Sequence, residues 1–375
     1  MRISSFFLST LCVGIGIGIV SSQLADVDRM QHDLAKFLSI ARYNETQKAQ
    51  ARAGIKMALD SVGLPSMTHT FIHEETNEIG MNVIAVHRGP YYGTADDKLI
   101  VMCANYDTLE GSPGVDDNGS GVAALLEAAR IMVTLDALYR RQYSILYLFA
   151  DMKHKGLAGS HAFVEDVLLP LLQRSNSTIT GAVVVDGLLH FDPFPSSQAM
   201  PDSFTDIFPD SSKELHDHKH MGDFIQVTSR DKKDEAIFHK YVAAFSRSTT
   251  ALASEWSFRP WLLPLKIPID RMANQLYKLH PYLYSDHSSF FFHSNQDIEL
   301  PTIYITDTLA NRGVRQYCPH CDGLYMLTEQ NVKFLVLLTD SLVRFLIDLS
   351  QSEAAVLIDD LHSMLFADHI RHGKS

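Results

Sequence analysis

Pro113-Gly114-Val115-Asp116-Asp117-Asn118-Gly119-Ser120-Gly121 follows an apolar stretch, Leu99-Ile100-Val101-Met102-Cys103, and leads into a helical one over residues 121–138. Two adjacent carboxylates with glycine on both sides, set between a strand and a helix, can present acid beyond the carboxyl end of a sheet, where loops converge on a ligand. The same residues are also ordinary as a helix N-cap with turn glycines. The segments on either side decide between the two.

Working outward, residues 82–86 and 99–103 read as strands split by a Gly/Pro-rich loop at 89–97, a pair that looks like an antiparallel hairpin. Residues 26–62 carry helical spacing with few breakers. Beyond the acidic loop come an apolar strand at 144–149, a helix at 157–172 and a buried strand at 179–185. Strands at 224–227 and 302–305 and helices at 234–248 and 328–349 complete the pattern. Near-continuous apolar strands separated by helices predict an α/β fold, with a mixed, mainly parallel twisted sheet covered by helices on both faces as a three-layer sandwich. Residues 188–221 are rich in Pro, Ser, Asp and His without periodicity and read as an irregular surface insertion. Residues 351–375 read as a C-terminal helix and tail, with apolar residues at helical spacing over 353–366.

The chain has 375 residues, 46% apolar and 20% charged, enough to bury a large core and too apolar for disorder. Lys and Arg number 32 against 44 Asp and Glu, and no basic run could neutralise a phosphate backbone, so nucleic acid is not an expected partner. Four Cys are too few for a disulfide scaffold. Arg2, an apolar stretch over 6–20 and Val20-Ser21-Ser22 before Gln23 predict a signal peptide over 1–22. That stretch is shorter than the roughly 20 residues needed to span a bilayer. The expectation is a secreted domain over 23–350 with no membrane span after cleavage. Three sequons, at Asn44, Asn118 and Asn176, suit that route, although a glycan on Asn118 would plug the loop cluster.

Four loops carry the candidate chemistry: Asn105-Tyr106-Asp107-Thr108 running on to the acidic stretch, Asp151-Met152-Lys153-His154-Lys155-Gly156-Leu157, Asp186-Gly187, and Tyr317-Cys318-Pro319-His320-Cys321-Asp322. With Leu125-Leu126-Glu127-Ala128-Ala129-Arg130, Gly156-Leu157-Ala158-Gly159-Ser160, Ser285-Asp286-His287 with Phe290, and Leu300-Pro301-Thr302, residues from about 80 to 345 resemble the zinc exopeptidase family. That family includes bacterial leucyl aminopeptidase, carboxypeptidase Q, glutamate carboxypeptidase and glutaminyl cyclase. The resemblance implies two zinc ions bridged by one Asp and a Glu that takes a proton from the attacking water.

Carried over residue by residue, the resemblance puts the bridging Asp on Asp116 and a further metal-binding Asp on Asp186. Asp107, Asp117 and Asp322 are implied as supporting residues around the ligands. The first His ligand falls on Asn105, the Glu-Glu pair of base and ligand on Lys153 and His154, and the last His ligand on Cys318. The family balances two Zn²⁺ with carboxylates, whereas this chain sets Asp116 and Asp186 against the positive charge of Lys153. An ammonium about 4 Å from a dication is repelled by roughly 8 kcal/mol at an effective dielectric near 20. Lys153 therefore reads as a built-in counter-ion for the two Asp residues, and it removes the general base, since an ammonium cannot accept a proton.

The expectation is a secreted, catalytically inactive member of the family that acts by binding a peptide or protein, with Lys153 able to pair a ligand carboxylate. The alternative is an aminopeptidase, carboxypeptidase or glutaminyl-cyclase type enzyme with one Zn²⁺ on Asp116, His154 and Cys318. The cofactor expected is at most one Zn²⁺, or none. A Cys318–Cys321 disulfide competes with the thiolate ligand, and Cys103 is expected buried and inert. His216-Asp217-His218-Lys219-His220 reads as a solvated loop.

Overall fold

The computed structural model describes residues 23–252, 259–266, 277–312 and 321–355. Two N-terminal helices, α1 (Val27–Phe37) and α2 (Glu45–Asp60), precede strands β1 (Ser66–Ile72), β2 (Ile79–His87) and β3 (Lys98–Asn105). The acidic stretch then leads into α3 (Gly121–Asp136), β4 (Ile145–Ala150), and α4 (Ala158–Phe163), which runs through a π turn into α5 (Leu169–Ser175). Next come β5 (Thr178–Val185), α6 (Phe204–Ile207), α7 (Pro209–Asp217), β6 (Phe224–Arg230), α8 (Glu235–Ala251) and β7 (Arg259–Leu265). The chain closes with α9 (His287–Phe291), β8 (Thr302–Thr306) and α10 (Glu329–Leu349). No described helix is long and apolar enough to cross a membrane.

The strands form one eight-stranded sheet in the order β1-β2-β4-β3-β5-β8-β6-β7. Neighbours β4–β3, β3–β5, β5–β8 and β6–β7 run parallel, while β1–β2, β2–β4 and β6–β8 are antiparallel. The mixed, mainly parallel sheet expected from the sequence is therefore present. The pleat sorts β3 into two layers: Ile100, Met102 and Ala104 join a core with α1, α2, α3, α8 and α10, and Val101 and Cys103 join a second core with α4, α5 and α9. Because both faces are covered, the central strands read as unbroken apolar runs.

Four expectations change. β2 and β3 are not a hairpin: β2 lies between β1 and β4, and β3 between β4 and β5. The helical stretch 26–62 is two helices, because Asn44 caps α2 by accepting from Gln47 N–H while the Gln47 side chain returns to the Asn44 N–H, a reciprocal cap that starts a new helix. β1 and β7 escaped the sequence reading, since polar Thr and His alternate through β1 and prolines interrupt β7. The insertion 188–221 is not merely irregular surface: Phe204, Phe208 and Leu215 pack with Phe224, Trp261, Leu263 and Tyr282 in a third core. The C-terminal helix expected over 353–366 lies almost wholly outside the described residues.

Candidate functional site

The site forms where the loops after β3, β4 and β5 meet, at the carboxyl ends of three adjacent parallel strands. The acidic stretch is bent into it by Gly114, whose φ of +65° is left-handed and whose missing side chain leaves room for Asp117 O and Thr108. Asp117 and Asn118 then leave helical geometry, joined by a cis peptide bond, before α3 begins. Asp322 holds this turn from outside, its carboxylate accepting from the N–H groups of Asp116 (2.6 Å) and Asp117 (2.9 Å). Arg42, fully buried, donates to the carbonyls of Leu38, Tyr106, Pro113 and Gly114 and so ties the N-terminal helices to the same loop.

Lys153 is the centre of the site. Its ammonium lies 2.9 Å from Asp117 Oδ1 and 2.6 Å from Asp186 Oδ2, with the side chain almost completely buried. Asp107 fixes the Lys153 loop, accepting from Lys153 N–H (3.1 Å) and His154 N–H (3.2 Å). Ser285 Oγ donates to Asp186 at 2.7 Å. Met152 and Leu157, at φ of +58° and +62°, hold the loop in a conformation that non-glycine residues rarely adopt. From below, Lys48 grips Asp151 through both carboxylate oxygens, at 3.0 and 3.1 Å.

The electrostatics follow from burial and pairing. Burial alone disfavours the Lys153 charge, but Asp117 and Asp186 outweigh it and hold the ammonium's pKa well above its ordinary value. Burial likewise pushes Asp117 up, yet Lys153 and His154 bring it below the usual carboxylate range. Asp186, deeper and sharing Lys153 with Asp117, is pushed up to about 7 by burial against the pull of Lys153. Burial lowers the pKa of His154, and among the described residues its Nε2 has no hydrogen-bond partner.

Residues 82–257 match the sequence profile of Peptidase family M28. That match covers just under half of the chain. The chain is similar to uncharacterized protein YfbL of Escherichia coli (strain K12), at 27% identity over 251 residues, 63% of this chain and 65% of that protein. It is also similar to aminopeptidase YwaD of Bacillus subtilis (strain 168), at 29% identity over 100 residues, 27% of this chain and 21% of that protein. The chain thus spans less than two thirds of the length of either relative. Among solved structures, the Porphyromonas gingivalis glutaminyl cyclase superposes with a TM-score of 0.55 at 15% identity, covering 87% of this chain and 99% of that one, a likeness that shows the fold.

Placed on the M28 fold, the expected ligand positions are partly rearranged. Of the adjacent pair, Asp117 faces Lys153 and Asp186, and Asp116 does not. The Asp116 carboxylate instead accepts from Leu189 N–H (3.1 Å) and sits against Asp307, where burial and the neighbouring acids Asp307 and Asp322 push its pKa well up. The expectation of Asp116 as the bridging residue is thereby corrected by one position. Of the single-zinc set Asp116, His154 and Cys318, Asp116 is engaged with Leu189 N–H and Asp307, and Cys318 lies outside the described residues. Cys321 is disulfide-bonded and Cys103 is free and buried, while Cys12 and Cys318 lie outside the described residues.

The donors do not fit the metal pair that the resemblance implies. The ammonium of Lys153 occupies the space between Asp117 and Asp186, where shared metal ligation would need an open gap. Asn105, at the expected His position, is engaged with Asp107 and Asn118. Lys153 is also not free to pair a ligand carboxylate, as its two Asp partners already take its charge.

Sequence reasoning missed Ser285 as a partner of Asp186, although it stands in the Ser285-Asp286-His287 motif, and it missed Arg42 and Lys48, which no motif marks. It also read Asn118 only as a sequon. That side chain is buried, with its amide donating to Asn105 Oδ1 (3.0 Å) and Val185 O (2.8 Å) and its oxygen accepting from Gly121 and Gly187 N–H (each 3.1 Å). A glycan cannot be attached there in the folded state. Asn44 and Asn176 are exposed.

Proposed function

We propose that this chain is an M28-fold protein without peptidase turnover, working by binding a peptide or protein partner. The observation that carries the reading is the buried Lys153 ammonium between Asp117 and Asp186. It puts a fixed positive charge where the family's chemistry needs a metal cation and a proton-accepting Glu, and an ammonium performs neither role. With its ammonium engaged by Asp117 and Asp186, Lys153 offers a ligand carboxylate no free charge.

We infer further that the protein is secreted. The N-terminal pattern over 1–22, the exposed sequons at Asn44 and Asn176 and a disulfide at Cys321 support that route.

Metal analysis of the purified mature chain, with assays on aminoacyl and dipeptide chromogenic substrates with and without chelator, tests the reading. Expected are no stoichiometric zinc and no chelator-sensitive turnover. The double variant Lys153→Glu with His154→Glu is expected to stay inactive too, because Asn105 and Cys318 still replace His. Near two equivalents of zinc with turnover in the unmodified protein would sink the proposal.

A further inference from the structure

The sheet ends in two edges of different character. β7 carries Pro260 and Pro264, neither of which has an N–H to offer a further strand. β1 is Ser66-Met67-Thr68-His69-Thr70-Phe71-Ile72, with no proline and no Lys, Arg, Asp or Glu. Met67, Ile72 and the neighbouring Ile79 are each more than half exposed.

Which backbone groups of β1 face outward follows from the alternation of an antiparallel ladder. The His73 N–H donates to Glu78 O at 2.8 Å across the hairpin. Met81, opposite Thr70, gives its N–H to Asp151 Oδ2 (3.0 Å) and accepts the Tyr106 hydroxyl on its carbonyl (2.7 Å), so it exchanges no ladder bond with Thr70. The odd-numbered residues of β1 therefore bond to β2. The N–H and C=O groups of Ser66, Thr68, Thr70 and Ile72 point away from the sheet, and among the described residues none has a partner.

About His69 the strand is symmetric at its centre: Thr68 matches Thr70, apolar Met67 stands opposite apolar Phe71, and only Ser66 and Ile72 differ in kind. An isologous interface requires this kind of self-complementarity, since each residue must suit its symmetry mate. We propose that β1 pairs antiparallel with β1 of a second copy of this chain, across a two-fold axis at His69. Thr68 then exchanges both ladder bonds with the partner's Thr70, and Ser66 with the partner's Ile72, which satisfies every outward group on the edge. Met67 lies opposite the partner's Phe71, whose ring is largely buried over its own Gly80, and His69, held by Asn82 and Asp166, lies opposite the partner's His69 at a position without ladder bonds. The strand itself carries no Lys, Arg, Asp or Glu, and the charges nearest its edge are of both signs, Lys56 on Thr68 Oγ1 and Asp166 beside His69.

Light scattering and sedimentation of the mature full chain from about 1 to about 100 μM read the association directly. A dimer is expected. Thr68→Pro removes one outward N–H and leaves the ladder to β2 intact, so it is expected to keep the thermal unfolding of the monomer and weaken the dimer at least about a hundredfold. Thr70→Lys, which sets two ammonium groups beside the axis, is expected to act alike should the proline variant fail to fold. His69→Cys is expected to give a disulfide-linked dimer on oxidation, since opposed residues without ladder bonds bring their Cα atoms to about 4.5 Å. A chain monomeric at every concentration overturns the proposal, as does a dimer indifferent to these edge variants or a monomer whose outward β1 amides are protected by residues 356–375 or by another extended segment.

Discussion

Lys153 stands where two buried carboxylates would otherwise repel each other, and its removal has a definite cost. Breaking a buried ion pair by deleting one partner typically costs about 3–5 kcal/mol, because the other charge is left without compensation. Lys153→Met is expected to lower unfolding free energy by that amount in chemical denaturation, and a loss under about 1 kcal/mol would show that the pair is not what organises the site. Asp286 gives a second, pH-dependent expectation. Both its oxygens are buried without a partner, and burial pushes its pKa up to about 6. Ser160, whose hydroxyl is engaged with Ser289 at 2.8 Å, gives little relief. A carboxyl raised in the folded state is fully compatible with folding below its unfolded pKa near 4 and costs stability as pH rises through the folded value. Asp286→Asn, always neutral, is therefore expected to match the parent near pH 4 and to exceed it by roughly 1–3 kcal/mol above pH 6. A stability gap that does not change with pH, or that shrinks as pH rises, contradicts this.

At the scale of elements, the site rests on an N-terminal layer fastened by cations, Lys48 and Arg52 buried and Arg29 at the surface. α2 sends Lys48 to Asp151, whose carboxylate also takes the N–H groups of Met81 and Met152, while Arg52 reaches the Tyr106 hydroxyl that caps Met81 O. α1 is fastened through Asp26 N–H and Arg29 to Glu127 on α3. Lys48→Met is expected to raise amide exchange across residues 151–157 and at Met81 well before that of β3 or β5, read by hydrogen-exchange mass spectrometry. Uniform acceleration across the sheet would mean that the pair holds the whole fold and not this loop. The sequence made the central elements legible because β3, β4, β5 and β8 are apolar throughout and α8 and α10 are long enough to show their period. It hid β1, whose Thr and His serve an edge, and α6 and α7, whose 4 and 9 residues are too short for a period to emerge. At the site, the replacement of ligand types was legible residue by residue. The choice between Asp116 and Asp117 was not, because it depends on the departure from helical geometry at Asp117 and on Asp322 gripping both N–H groups, neither of which leaves a trace in composition or spacing.

At the scale of the molecule, three apolar cores divide the labour. Those above and below the sheet hold the strands, and the aromatic third core turns the 188–221 segment into a buttress against β6 and β7. The parallel centre carries the site, and the two margins close it off, the β6–β7 pair by packing against that buttress and the antiparallel side through β1. The Lys153 cluster then bears on how the protein comes into being. A cation encoded in the chain arrives with the acids it neutralises, so the loops after β3, β4 and β5 can assemble as soon as they are synthesised. On the proposed reading, maturation would need no metal delivery, and the finished site would be indifferent to the zinc supply.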